Sequence, residues 1–448
     1  MLLRFPRLTA TQIVVLGFAL VILLGAILLT LPAASADHTR TDFLTALFTA
    51  TSAVCVTGLV VVDTSTHYSL FGETVILLLI QIGGLGWMTV ATLVALLVHK
   101  RITLRERILI QEALNREDLS GVVQLSKKIL LTTLVIEGLG ALILAARFSQ
   151  DLGLRRGAYY GLFHAVSAFN NAGFDLFGII YGKFSSLTHY VDDPVVNFTF
   201  TSLIILGGLG FPVILELIQV KKFSGFSLHT KLVLTTTAFL IAAGTLLILA
   251  LEWNNPKTLQ PLDLPAKIMA AYFQAVTPRT CGFNTLDIAG MTTPSQFLHI
   301  ALMFIGASPA GTGGGVKTTT FAVLLLAIWA TVRGQEEVGF WGRRISVLRV
   351  YKALAVAFLG FAVVSGVNMV LLVTEKDDFL KTLYEVTSAF GTVGLTMGLT
   401  PNLTAAGRWL IIFTMFAGRV GPLSLAMALW KRQNKAGLRY PEEQVMLG

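Results

Sequence analysis

The sequence predicts an all-α polytopic membrane protein, and three observations carry that prediction: an apolar content far above that of a water-soluble chain, eight apolar stretches of spanning length, and a fourfold internal repeat. Of the 448 residues 54% are hydrophobic and only 13% charged, with a mean hydropathy of +0.74, whereas soluble domains carry about 25% charged residues. The expected solvent is lipid. Cys55 and Cys281 are too few for a disulfide framework and lack zinc-site spacing. Seven scattered histidines form no HExxH-like pair. A net charge of +9 would suggest nucleic acid in a soluble protein; here its distribution between loops matters more, and no nucleic-acid partner is expected.

A hydrocarbon core of about 30 Å needs roughly 20 apolar residues per helix. The stretches that meet this are 11–31, 74–97, 129–146, 197–220, 232–251, the longer run 295–331, 354–373 and 407–429. The first is too long for a cleavable signal and lacks a small-residue cleavage site, so it is expected to stay in the membrane.

Between the members of each pair lies a segment of half the spanning length that ends in glycine: 47–58, 162–173, 271–282 and 383–394. The four align without a gap. An aromatic holds the second position (Phe48, Phe163, Tyr272, Tyr384), serine the sixth in three (Ser52, Ser167, Ser388), and Leu or Phe follows the glycine. Gly58, Gly173, Gly282 and Gly394 recur with a period of about 112 residues, a parallel fourfold repeat. Glycine clusters also recur in the later span of each unit, at Gly83–Gly86, Gly207–Gly210, Gly306 onward and Gly418–Gly421; close helix packing accounts for these. Lysines and arginines are roughly twice as numerous on the side holding both termini, in runs such as 100–107, 127–128, 221–222, 343–344 and 431–432. Both termini are therefore expected in the cytoplasm of a cell-membrane protein, with the four short segments dipping in from outside.

A membrane admits non-helical backbone only where it is buried in protein or lines an aqueous cavity. Each short segment fits a half-crossing helix followed by an extended return. Four around a pseudo-fourfold axis bring four strands to one point. The predicted fold is thus four pseudo-repeats of outer helix, re-entrant pore helix with filter loop, and inner helix around one central pore. The units are 1–99, 100–222, 223–334 with a broken inner helix, and 335–430, followed by a tail, 431–448.

The converging residues are Val56, Thr57 and Gly58; Asn171, Ala172 and Gly173; Thr280, Cys281 and Gly282; Thr392, Val393 and Gly394. None carries a carboxylate. Carbonyl dipoles without fixed charge suit a weakly hydrated monovalent cation, with potassium the best candidate, and glycine reaches the backbone angles that aim carbonyls inward. The C-terminal ends of the half-helices favour a cation in the cavity below. Asp63, Asp175 and Asp287 follow three of the glycines, either concentrating cations at the outer mouth or serving as solvated loop acids.

At these residues the sequence resembles the Trk/Ktr/HKT superfamily of potassium transporters, and within it the membrane subunit of the Ktr branch. The resemblance spans nearly the whole chain, with a single filter glycine per unit. Its most specific pieces are Arg279-Thr-Cys-Gly-Phe-Asn284, Gly311-Thr-Gly-Gly-Gly-Val-Lys-Thr318 and Gly418-Arg-Val-Gly-Pro422. Trk-type subunits typically carry extra N-terminal spans, which favours the Ktr branch here. The resemblance implies a homodimer with two pores, resting on a cytoplasmic nucleotide-binding regulatory ring of the KtrA type that binds ATP and ADP. The basic inner loops, including 333–352, would serve as docking surfaces or simply set topology. Potassium would be the substrate, sodium an activator or a co-ion, and no covalently bound cofactor is expected.

Pro278 and Arg279 make the third filter strand unlike its siblings, and a buried arginine there is expected to tie the strand to neighbouring carbonyls behind the ion path. The run 295–331 is too long for one straight span, and no continuous helix tolerates its glycines and Pro309, which cost about 1 and 3 kcal/mol each. It superficially matches a phosphate loop, but Val316 precedes Lys317 and no strand leads in. The resemblance implies instead an intramembrane gating loop comprising Gly306, Pro309, Gly311, Thr312, Gly313, Gly314, Gly315 and Lys317. Lys317 and Arg419 are the cations left inside spans. Arg419 is expected to anchor that loop or form an electrostatic barrier, unless both cations merely cap carbonyls at helix breaks or Lys317 reaches the interface. His164 and Glu385 share the third position of their segments as proton or sodium sites or as buried hydrogen-bonded side chains, and the sixth-position serines are expected to bond pore-helix carbonyls. An alternating-access, sodium-coupled cation carrier is the rival reading, though such folds commonly have inverted repeats. Nothing in the spans suggests an enzyme.

Overall fold

The computed structural model describes residues 9–86, 88–90, 122–429 and Glu443. The basic runs 100–107 and 431–432, the end of the expected span 74–97 and nearly all of the tail 431–448 lie outside the described residues.

Four outer helices, Ala10–Leu29, Val122–Leu152, Leu228–Glu252 and Val347–Glu375, are long and apolar enough to cross a membrane. Each is followed by a short pore helix: Phe43–Val54, Leu154–Phe169, Leu264–Val276 and Phe379–Gly391. The inner helices are Leu70–Leu85, Pro194–Leu209, Thr293–Phe304 and Ala405–Val420. The multi-pass membrane architecture and its four-unit order are thus as the sequence predicts.

Local chemistry sets the ends of these elements. Asp42, Asp263 and Asp378 accept from the first-turn amides of Thr45, Ala266 and Leu380 at 3.2, 3.1 and 3.0 Å, capping three of the four pore helices. Ser69, Asp193 and Thr404 do the same for three inner helices. Burial runs opposite to apolarity. The first pore helix is buried from Thr45 to Val54, while outer helices expose leucine and phenylalanine, such as Leu142 at 70% and Phe358 at 67%. An apolar exterior around a more polar, close-packed centre is the arrangement lipid selects.

The inner helices depart from the expected continuous spans. Gly86, Gly210 and Gly421 have φ of +78°, +91° and +90° and end helices that resume one residue later in the second and fourth units, as Phe211–Gln219 and Pro422–Leu429. The break at Gly210, between Pro194–Leu209 and Phe211–Gln219, bends by 100°. The stretches 197–220 and 407–429 are therefore each two helices. Periodicity and apolarity persist through the break, so only the last glycine of each cluster signals it. In three of the four clusters the first glycine has the packing role expected from sequence: a Cβ on Gly83, Gly207 or Gly418 would run into the carbonyl of Val54, Phe169 or Phe390 at the end of the same unit's pore helix.

The outer loops clasp adjacent units. Asp63 is buried and accepts from Ser65 Oγ, Thr66 N and Phe184 N at 2.9–3.0 Å. It is a structural acid joining units one and two, neither facing the outer mouth nor solvated in a loop; Asp287 stays exposed.

Gly207→Ala should lower the thermal unfolding midpoint of the purified protein by several degrees, since overpacking against a fixed carbonyl costs about 1–3 kcal/mol. Gly138→Ala, where a Cβ meets open space, should leave the midpoint unchanged or raise it. Equal midpoints for the two variants would contradict the packing role.

Candidate functional site

The four filter strands meet. A Cβ built on Gly58 would lie 2.6 Å from the carbonyl oxygen of Ala172, and those on Gly173, Gly282 and Gly394 would run into the oxygens of Cys281, Val393 and Thr57. Each glycine thus abuts the residue before the next unit's glycine, and the fourth returns to the first. The ring is closed. At φ of +91°, +70°, +88° and +94° these positions also exclude side chains on conformational grounds.

A second left-handed residue lies two positions earlier in every strand: Val56, Asn171, Thr280 and Thr392, with φ of +52°, +57°, +80° and +51°. Three of them are β-branched, for which this region is strongly disfavoured, at about 1–3 kcal/mol each. The surrounding bonds hold them there. Main-chain carbonyls of Ser52, Ser167 and Ser388 accept from Thr57, Ala172 and Val393 N at 2.8 Å. The hydroxyls do not turn back on the pore helix as expected. Ser52 and Ser388 accept from Gly58 N and Gly394 N at 3.0 and 3.1 Å, and Ser167 donates to Phe174 O at 2.8 Å. In the third unit Thr277, one residue later, donates to Phe283 O at 2.5 Å. The strands are bound from behind on their outer side.

Their own carbonyls are left open. No donor among the described residues bonds the oxygens of Thr57, Ala172, Cys281 or Val393. A main-chain oxygen desolvated without a partner is costly, so a ring of four is a site for a cation or for water. No carboxylate stands among these residues.

The segment between Phe304 and Thr318 is non-helical and passes beneath this ring. Gly306 N donates to Val316 O at 2.8 Å, closing its ends into one bridge. Ser308 N and Thr312 N donate to the carbonyls of Gly208 and Gly207 at 2.9 and 3.1 Å, and Phe211 N donates to Ala310 O at 3.1 Å. A Cβ on Gly210 would run into Pro309 O, and one on Gly311 would sit 3.0 Å from Gly208 O. Gly314 N donates to Thr392 Oγ1 at 2.8 Å and Gly315 N to Gly418 O at 3.3 Å. Gly313 faces Thr280 so closely that a Cβ would meet its hydroxyl. The loop therefore bonds or touches the filter residues and inner-helix breaks of its neighbours directly. Sequence reasoning missed the carbonyls of Gly207, Gly208 and Gly418 as its partners, although the aligned glycine clusters carried the signal.

Arg419 donates to the carbonyls of Thr312 and Gly83, so it ties the loop to the first unit from the fourth. Lys317 Nζ donates to Gly313 O at 2.6 Å. For these cations the anchoring and capping alternatives merge, since anchoring is achieved by capping carbonyls at breaks, and Lys317 turns into the loop. Asn171, with its amide oriented to satisfy both ends, donates to Ile204 O and Ala168 O at 3.2 and 3.1 Å and accepts from Thr280 Oγ1 at 3.0 Å.

Arg279 is buried behind the third strand, beside Ile204, Leu209, Thr237 and Ile241. Among the described residues its Nε and Nη1 have no hydrogen-bond partner, so these atoms do not form the tie to neighbouring carbonyls expected from sequence. His164 donates through Nδ1 to Tyr160 O at 2.7 Å and accepts at Nε2 from Leu176 N at 3.3 Å. One donor and one acceptor define a neutral ring with a structural role. Glu385 accepts from Thr396 Oγ1 at 2.7 Å and from Thr400 Oγ1, bracing the fourth return strand.

A family described as a cation transport protein, TrkH, matches residues 6–436. The chain is 46% identical to the Ktr system potassium uptake protein B of Bacillus subtilis (strain 168), covering 99% of this chain and 98% of that one. It is 40% identical to the potassium/sodium uptake protein NtpJ of Enterococcus hirae, covering 99% and 98%. The crystal structure of the potassium transporter TrkH from Vibrio parahaemolyticus superimposes with a TM-score of 0.75 at 18% identity, over 96% of this chain and 87% of that one.

Arg419→Ala removes two charge-assisted bonds, one to Thr312 O in the loop and one to Gly83 O in the first inner helix, each worth about 1.5–3 kcal/mol. Amide hydrogen exchange in 306–317 should become at least tenfold faster, with the pore helices unchanged. Unaltered exchange would exclude the anchor.

Proposed function

The chain belongs to the TrkH family of cation transport proteins, and from that premise we propose that it takes up potassium through a central pore, as the translocating subunit of a Ktr-type system. The closed ring of filter glycines and open carbonyls is the observation that carries this reading. Potassium sheds part of its hydration at main-chain oxygens of Val56 to Gly58, Asn171 to Gly173, Thr280 to Gly282 and Thr392 to Gly394. Main-chain dipoles replace water at low cost for a large monovalent ion, and without a fixed charge they release it again. Four pore helices end at this centre and add their partly negative C-termini below it. Below the filter, Gly306, Pro309, Gly311 to Gly315 and Lys317 form the gate. Arg419 holds that gate shut.

The names of the relatives, a potassium uptake protein and a potassium/sodium uptake protein, support potassium as the transported ion and sodium as an activator or co-ion. A Ktr system implies a further component. We assign that role to a cytoplasmic ring of nucleotide-binding subunits beneath a homodimer of this chain, with both termini cytoplasmic in the cell membrane, in keeping with the excess of positive charge on that side. The alternating-access carrier is not favoured, because the four units run in the same direction and meet at one ring.

Uptake by a potassium-auxotrophic strain tests the proposal. Gly58→Ser and Gly282→Ser insert a side chain into the ring and should lower potassium uptake about tenfold or more, with weaker competition by rubidium. Arg419→Ala, or a shortened Gly311–Gly315 segment, should raise uptake several-fold and weaken its control by the partner. Full uptake by both glycine variants would refute the filter; unchanged flux and regulation in the loop variants would refute the gate.

A further inference from the structure

Arg279 is the one charge beside the filter strands that neither the filter nor the loop uses. It stands at the ninth position of the third twelve-residue segment, where the other units carry Cys55, Asn170 and Gly391, so a filter strand has no general need of it. The side chain borders a cavity between the second inner helix and the third outer helix. It is 7% exposed, and among the described residues no carboxylate pairs with it. A desolvated guanidinium without a counter-charge is costly to bury. The third pore helix ends at Val276 on the same cavity, and the negative end of its dipole offsets part of that charge. It supplies no bond, since Nε and Nη1 have no acceptor among the described residues.

A second polar group on the same cavity is orphaned independently. Thr237 Oγ1, from the third outer helix, is buried and has no partner among the described residues. Two N–H donors and a hydroxyl from separate elements thus line one space, the rest of which is Gly208 and apolar side chains with no acid among them. The volume, about 10 Å³, limits the occupant to a single water-sized or halide-sized particle and excludes phosphate or a carboxylate ligand. Charge decides between the two. Water would accept from these donors and leave the guanidinium uncompensated, whereas a halide accepts from all three and cancels the charge. We propose that this cavity is a chloride site, with Arg279 Nε and Nη1 and Thr237 Oγ1 as its donors. Bound chloride would pin the third filter strand to the third outer helix, a tie that the strand does not make through carbonyls. It would also neutralise a positive charge standing two residues before the open carbonyl of Cys281, where a cation is favoured.

Crystals of the purified full chain grown in sodium bromide test the site directly. An anomalous bromide peak should touch Arg279 Nε and Nη1; density there without anomalous signal would be a water and would overturn the proposal. In solution, with potassium held constant, replacing gluconate by chloride should raise the thermal unfolding midpoint of the unmodified chain saturably, as a ligand of the native state must. Arg279→Met removes the charge and keeps an apolar stem, so its midpoint should be indifferent to chloride. Thr237→Val keeps the side-chain shape and loses only the hydroxyl; it should raise the chloride concentration for half the effect about tenfold. A midpoint of the unmodified chain that ignores chloride, an unchanged dependence in Arg279→Met, or an unchanged half-effect concentration in Thr237→Val would each refute the assignment.

Discussion

Lipid cannot hydrogen-bond a peptide group, and that constraint organises the molecule. Every helix break within the bilayer frees N–H and C=O groups that must find partners inside the protein. This chain has breaks after its four pore helices, at Gly86, Gly210 and Gly421, and across the long loop after Phe304. They satisfy one another: Gly207 and Gly208 carbonyls receive the loop's amides, Gly418 receives Gly315, and Arg419 serves Thr312 and Gly83. The breaks therefore gather at the centre, and outer helices with apolar surfaces enclose them.

Within that centre, the carbonyls that remain open are the informative ones. The filter strands are restrained from outside by serine and threonine hydroxyls and by pore-helix carbonyls, which leaves the oxygens of Thr57, Ala172, Cys281 and Val393 without donors among the described residues. The left-handed Val56, Thr280 and Thr392 are a local cost accepted for that orientation. Rigidity here comes from bonds behind the strands rather than from contacts across the ring. The loop beneath is held differently, by bonds spread over several units, and an element supported at several points can be released by losing a few of them.

Repeat, composition and spacing made the architecture legible because lipid imposes strict rules on length and apolarity. The four aligned glycines identified the ring, and glycine density with Pro309 identified the broken sixth stretch. The continuity of stretches 197–220 and 407–429 was misread, since a single glycine at positive φ turns a helix without altering the apolar pattern. Asp63 could not be placed either: one acid near a filter glycine looks the same in sequence whether it faces water or clasps a neighbouring loop.

What the sequence determined alone was the fourfold plan, the strands that meet and the absence of fixed charge among them, because these follow from residue types at a regular interval. What tertiary structure decided was the partnership between units: which carbonyl each filter glycine faces, which amides of the gating loop meet which helix break, and that Arg419 joins the fourth unit to the first across the centre. Those contacts join residues about a hundred or more positions apart, and no local pattern records them, since they arise only when four separate units close around one axis.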